Sequence, residues 1–376
     1  MPLLLALCLL QGPQALAQGG RKAPEGPLRV ISWSSPTGAQ SITFETLYGL
    51  KAFQNFLNAN GGVGGRQLEL HSVEMDDAAV DFVYKLDTLV IQGKPDLVVG
   101  GASGIRAAET AEYFRRILMP WFGPWTDDPK IYLKRDDDPV GLLPSAPAEL
   151  EMLFKFVQSR KAEGQGVFFV YTDGSKASQD LASLARAKAR AHEVELSMVP
   201  LPPSFSEWKS LEAKLTDGSF IILWTNPGPS AIIKRLLGPA FPDAVWLTNS
   251  LNSPDHEIMM MSVGNWEGTI FPSVLIPSNQ ISEAYWTVLV KYGLPGLNPD
   301  YQSFLGFGQG QVLARAMANA TGSASGSLQS ALQRSLQSED ISGSLLSGTR
   351  LPHDPDDPGG AYLATVLPKG AWAPVE

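Results

Sequence analysis

Ser103 is the first residue to weigh as a nucleophile. It lies in Gly101-Ala102-Ser103-Gly104-Ile105. A Gly-x-Ser-x-Gly elbow would lift its hydroxyl over a sheet for acyl transfer, but Ile105 stands where the second glycine belongs. A hydrolase reading would need ester turnover that Ser103→Ala abolishes, and it ranks below the binding readings. The four histidines, His71, His192, His256 and His353, could bind metal or move protons. They form no His-Glu-x-x-His and no paired-His spacing, and their polar neighbours suit solvated side chains for most of them. Asp136-Asp137-Asp138 and the 354–357 run lack the spacing and glycine of a calcium loop. Met259-Met260-Met261 could offer soft ligands to copper, but His256 alone does not complete a set, and a packed helix accounts for them. No Gly-x-Gly-x-x-Gly opens a helix after a strand. The expectation is a protein with no catalytic residue, no metal and no cofactor.

The chemistry must then come from loops, and the elements that hold those loops are regular. Residues 29–32 begin a strand whose exit is Trp33-Ser34-Ser35-Pro36-Thr37-Gly38, and in open parallel sheets ligands bind at that end. Leu50, Phe53, Phe56 and Leu57 fall at helical spacing until Gly61 and Gly62 stop the helix, and Leu68 and Leu70 alternate into a strand closing on Asp76-Asp77. A helix over 80–92, a buried strand over 97–99, a helix over 107–116 and a strand over 117–122 follow. The pattern then restarts, with helices expected over 149–159, 178–192, 205–215 and 231–237. Strands are expected over 167–171, 194–199, 219–224 and 244–247. Such alternation implies βαβ units and parallel sheets in two α/β lobes. Helices over 282–292 and 301–320 come next, the second weakened by three glycines near its start, and 361–366 reads as a last edge strand.

The opening resembles that of type I periplasmic solute-binding proteins, the branched-chain amino-acid and amide receptor group of ABC transporters. The residues that carry the likeness are Pro36-Thr37-Gly38, the turn Asn58-Ala59-Asn60-Gly61-Gly62-Val63-Gly64-Gly65-Arg66, and Asp76-Asp77. The resemblance implies two Rossmann-like lobes joined by multiple crossovers. Lobe one would cover 28–143 and 276–341, and lobe two 144–275 and 342–376. It also implies that Ser103 and Gly104 hold a ligand carboxylate, that Trp125, Thr126 and Asp127 give a second set of contacts, and that Asp173, Asn226 and Asn249 lie on the loops of the second lobe. Trp33, Ser34 and Ser35 complete the candidate set.

Departures from the family pattern bear on the ligand. Amino-acid binders of the group pair the buried ammonium with an acid, because an unpaired charge in a closed cleft is costly. Here the matching loop is Leu247-Thr248-Asn249-Ser250, with no acid. Thr172 replaces the first Asp of a Tyr-Asp-Asp region, and Phe307 and Gly308 stand where a Tyr and an Asp are usual. The resemblance therefore points to a small carboxylate or amide with an apolar or aromatic body, delivered to permease subunits. A sensory module passing its closed state to a signalling partner is the alternative.

Composition excludes other classes. A net charge of −9 over 376 residues gives no footprint for nucleic acid or an anionic membrane surface. The apolar run 3–10 followed by Ala15-Leu16-Ala17 looks like a secretory signal peptide over 1–17, too short to span a bilayer. The only cysteine, Cys8, lies within it. A periplasmic monomer without disulfides is expected.

Overall fold

Two sheets divide the chain, the first parallel and the second parallel but for its last two strands. The first has the order β2-β1-β3-β4, built from β1 (Leu28–Ser34), β2 (Leu68–Glu74), β3 (Leu97–Val99) and β4 (Trp121–Phe122). A computed structural model describes residues 26–34, 42–63, 65–76, 79–101, 106–126, 128, 131, 139–295, 298–319, 331–332, 345–346 and 361–375. Successive residues of β1 serve opposite faces: Val30 packs with α1 (Ile42–Ala59), while Ile31 and Trp33 pack with α2 (Phe82–Gly93) and α3 (Ala107–Arg116). Both faces are thus covered, which is why the strand carries large apolar residues on both, Val30 on one and Ile31 and Trp33 on the other.

The turn after α1 is held by side-chain chemistry that the glycines alone do not supply. Asn58 Nδ2 donates to the Leu68 carbonyl (2.8 Å) and the Leu68 N–H donates to Asn58 Oδ1 (2.9 Å), fastening the helix end to the start of β2. Gly62, at φ +75°, accepts no replacement, because a Cβ there would lie 2.0 Å from the Arg66 carbonyl oxygen.

The second sheet has the order β11-β10-β9-β8-β7-β5-β6. Its parallel strands are β5 (Val167–Thr172), β6 (Ser197–Leu201), β7 (Phe220–Trp224), β8 (Val245–Thr248) and β9 (Ile270–Ser273). Helices α4 (Ala146–Arg160) and α5 (Lys176–Ala191) cover one face, and α6 (Pro227–Leu237) and the short α7 (His256–Met261) lie on the other side. Helices α8 (Glu283–Tyr292) and α9 (Tyr301–Asn319) return to pack on α1 of the first lobe. No helix among the described residues is long and apolar enough to cross a membrane.

Several local expectations differ from the structure. The strand expected over 117–122 contracts to Trp121–Phe122, because α3 ends at Arg116 and Leu118 takes a left-handed conformation (φ +56°), turning the apolar run into an exposed helix exit. The helix expected over 205–215 is a 3₁₀ segment, Phe205–Lys214. β10 (Tyr362–Val366) is not an edge. It pairs antiparallel with β9 on one side and with β11 (Trp372–Pro374) on the other, so β11 forms the edge.

Candidate functional site

The carboxyl ends of the parallel strands gather the candidate loops, one group on each sheet. On the first lobe, β3 runs into Gly100 and Gly101, both left-handed (φ +65° and +81°), and β4 runs into Gly123 (φ +62°). These reversals lock the two exits together: the Trp121 indole N–H donates to the Gly100 carbonyl (2.8 Å) and the Trp125 N–H to the Gly101 carbonyl (3.0 Å). Trp125 is 7% exposed and lines a hollow with Ser32, Leu47, Leu50 and Gln309. The Gln309 amide N–H donates to the Gly123 carbonyl (3.1 Å), which leaves Gln309 Oε1, a buried acceptor, without a hydrogen-bond partner among the described residues.

The other first-lobe candidates divide between packing and hydrogen bonding. Trp33 is fully buried, with its ring centroid 6.0 Å from Trp121 and 6.1 Å from Phe82, so it forms the wall behind Gly101. The Ser34 carbonyl accepts from the Met75 N–H (2.8 Å) and the residue is buried. Thr126 is buried, and its Oγ1 accepts from the Asp128 N–H (3.1 Å). Ser35, Ser103, Gly104 and Asp127 lie outside the described residues, as do residues 1–17.

On the second lobe, β5, β7 and β8 are neighbours, so Asp173, Asn226 and Asn249 leave the same edge of one sheet. Asp173 and Asn226 are exposed, with Asp173 Oδ1 accepting from the Gly174 N–H (2.7 Å). Asn249 is 3% exposed and its Oδ1 has no partner among the described residues. Below it, Asn252 Nδ2 donates to the Thr225 carbonyl (3.0 Å), Ser230 Oγ (3.1 Å) and Thr248 Oγ1 (2.7 Å), tying the exits of β7 and β8 into one rigid floor.

Sequence reading missed one acid here. Glu149, in the first turn of α4, is fully buried and accepts from the Ser250 N–H (3.1 Å) and from the Ser250 hydroxyl. Its partner is 101 positions away, so no local spacing could signal it. The loop that lacks an acid of its own therefore borrows one from a neighbouring helix, and that carboxylate is engaged in holding the loop. The connection after β9 is fixed by Tyr301, whose hydroxyl lies 3.2 Å from Ser273 Oγ and accepts from the Val274 N–H (3.1 Å). Burial pushes the Tyr301 phenol up to about 12, keeping it neutral.

Among the described residues no group of three or more His, Cys, Asp or Glu is placed to hold a metal ion. His71 pairs with Glu69 (3.3 Å) on the surface, and His192, part-buried, contacts Glu151 (2.8 Å) and Gln158 (3.1 Å).

Comparison with known proteins places the arrangement. The family model for periplasmic binding proteins matches residues 33–344. Among solved structures, a possible leucine/isoleucine/valine-binding protein from Rhodopirellula baltica superimposes with a TM-score of 0.76 at 15% identity, covering 95% of this chain and 98% of that one. A fatty acid ABC transporter substrate-binding protein from Thermomonospora curvata gives 0.73 at 14% identity, covering 96% and 94%. The branched-chain amino acid transporter substrate-binding protein of Streptococcus pneumoniae, in complex with isoleucine, gives 0.72 at 17% identity, covering 92% and 99%. No curated protein sequence matches the chain significantly.

Proposed function

The chain belongs to the periplasmic binding protein family, and on that premise we propose that it is the substrate-binding component of an ABC-type importer. In this reading it takes a small carboxylate or amide with an apolar or aromatic body between its lobes. It acts as an exported monomer, with residues 1–17 removed as a signal peptide, and presents its closed, ligand-loaded state to permease subunits. The family is one of solute-binding proteins without enzymatic activity, so Ser103 acts as a ligand contact rather than a nucleophile.

The observation that carries the ligand class is Asn249. At the exit of β8 it offers a buried, neutral amide whose Oδ1 lacks a partner among the described residues, while the nearby Glu149 carboxylate is already engaged by Ser250. A neutral acceptor suits an amide N–H or a hydroxyl. It leaves a buried ammonium without a counter-charge, at a cost of several kcal/mol or about a thousandfold in affinity.

A thermal-shift panel of decanoate, phenylacetate, benzamide, leucine, isoleucine and valine, followed by calorimetry, tests the reading. Stabilisation by the acids or the amide, and none by the amino acids, is expected. Micromolar leucine binding that survives Asn249→Ala would overturn the ligand class.

A further inference from the structure

Three carboxyl groups from three segments gather where the lobes meet, Asp255 fully buried and Glu45 and Asp300 partly so. Glu45 lies in the first turn of α1, Asp300 immediately precedes α9, and Asp255 caps the N-terminus of α7 on the second lobe. The same seam is crossed by a polar chain. Thr46 Oγ1 donates to Gln302 Oε1 (2.9 Å), Gln302 Nε2 donates to Ser253 Oγ (2.6 Å), and the His256 N–H donates to Asp300 Oδ2 (3.1 Å). Since α9 packs on α1 whereas α7 packs on α6, these bonds join one lobe to the other.

The three acids are unequally served. Asp300 also accepts from the Ser303 N–H (2.8 Å), so two N–H groups stabilise its charge. Asp255, 1% exposed, accepts one bond at Oδ1 from the Ile258 N–H (2.6 Å), and its Oδ2 has no partner among the described residues. Glu45 Oε2 is likewise buried without a partner. Among the described residues, the charged groups that act on them are Glu257 and His256 from α7, Asp300 from the start of α9, and Glu45 from α1, and no lysine or arginine is among these. Burial, then the Asp300 charge, pushes the Glu45 carboxyl up to about 8. Burial, then Asp300 and Glu45, holds Asp255 well above the usual carboxylate range, and burial raises Asp300 against its hydrogen bonds from Ser303 and His256.

We propose that this seam is a proton-dependent latch: the α1–α9 face and α7 stay together while Glu45 and Asp255 are protonated, and losing those protons parts them and opens the cleft. The direction follows from linkage. A carboxyl raised in the joined state and ordinary in the parted state favours the joined state at low pH. That preference is lost as pH rises from the ordinary carboxylate range through about 8, and no further change comes from Glu45 above it. Each such proton changes the joined-to-parted ratio by up to about tenfold per pH unit inside that window. The latch regulates the cleft of the proposed binding protein, but it operates without ligand, so it can fail or stand separately from the ligand class.

Small-angle scattering and hydrogen exchange of the ligand-free protein between pH 5 and about 9 test it, across the window that linkage sets. The expected result is a larger radius of gyration and faster exchange in 255–262 as pH rises. The double variant Glu45→Gln, Asp255→Asn should stay compact and slow to exchange throughout, since both amides imitate the protonated acids. Circular dichroism checks that it is folded; should it not fold, the native protein's titration and that of Glu45→Gln alone, expected to change less with pH than the native protein, decide. A native protein whose scattering and exchange do not vary with pH, or a folded double variant that opens as the native protein does, would overturn the latch.

Discussion

Gly49 and Gly306 mark the place where the backbones of α1 and α9 touch. A Cβ on Gly49 would lie 1.8 Å from the Ser303 carbonyl oxygen, and one on Gly306 would lie 1.8 Å from that of Thr46. Two helices can approach this closely only where neither carries a side chain. Gly306 and Gly310, two of the glycines that weaken α9 as an isolated helix, are what let it seat on α1, and through α1 on the first sheet.

Gly306→Ala should therefore destabilise the protein by about 3 kcal/mol, although alanine is the better helix former by about 1 kcal/mol. Gly49→Ala should behave alike. Denaturant unfolding measures both, and an unchanged midpoint would mean that the helices separate freely at this crossing.

Glu149→Ala leaves the Ser250 N–H and hydroxyl buried without their acceptor. A loss of about 2–3 kcal/mol is expected, since bonds to a charged acceptor are the stronger kind. Ser250→Ala, which keeps the N–H bond, should cost less. Paired thermal and chemical unfolding of the two variants gives the order, and the reverse order would refute this role for Glu149.

Lys234 supplies a pH test away from the cleft. Its ammonium is buried, donates to the Glu267 carbonyl (2.8 Å) and to Thr269 Oγ1 (2.5 Å), and sits 6.0 Å from the Trp246 ring and 5.7 Å from that of Trp266. Burial lowers it to about 7. Between that value and the ordinary lysine range, the unfolded chain binds a proton that the folded protein does not. Stability from this group therefore rises with pH across the window and is flat below it. Lys234→Met should remove that rise from melting temperatures recorded between pH 7 and about 10.

Trp33 and Trp125 should separate stability from binding. Trp33→Ala empties a site among Trp121, Phe82 and Phe114 and should cost about 3–5 kcal/mol. Trp33→Phe should lower the melting temperature and leave affinity for phenylacetate unchanged. Trp125→Phe should weaken that binding several-fold. Calorimetry that finds equal losses for both phenylalanine variants would remove Trp125 from the site.

The order of strands and helices, the Asn58-to-Arg66 turn and the two-lobed parallel architecture were determined by the sequence, because each is written in short-range terms: apolar spacing on one face, glycine at a left-handed turn, alternation cut by a loop. Whatever depends on the element lying opposite was not. The exit position of Trp33 is visible in the chain, but that its ring faces Trp121 and not solvent depends on α2 and α3 closing that side of the sheet. Glu149 looks like an ordinary acid at a helix start until β8 brings Ser250 to it. Asn58 looks like the residue that frays a helix until Leu68 completes its two hydrogen bonds. Glu45 lies more than two hundred residues of chain from Asp255 and Asp300, and the three share an environment only because α9 lies on α1 and meets α7 across the seam. Burial and electrostatics act through space, so tertiary structure alone decided which polar groups lost water, which found partners, and which were left to respond to pH.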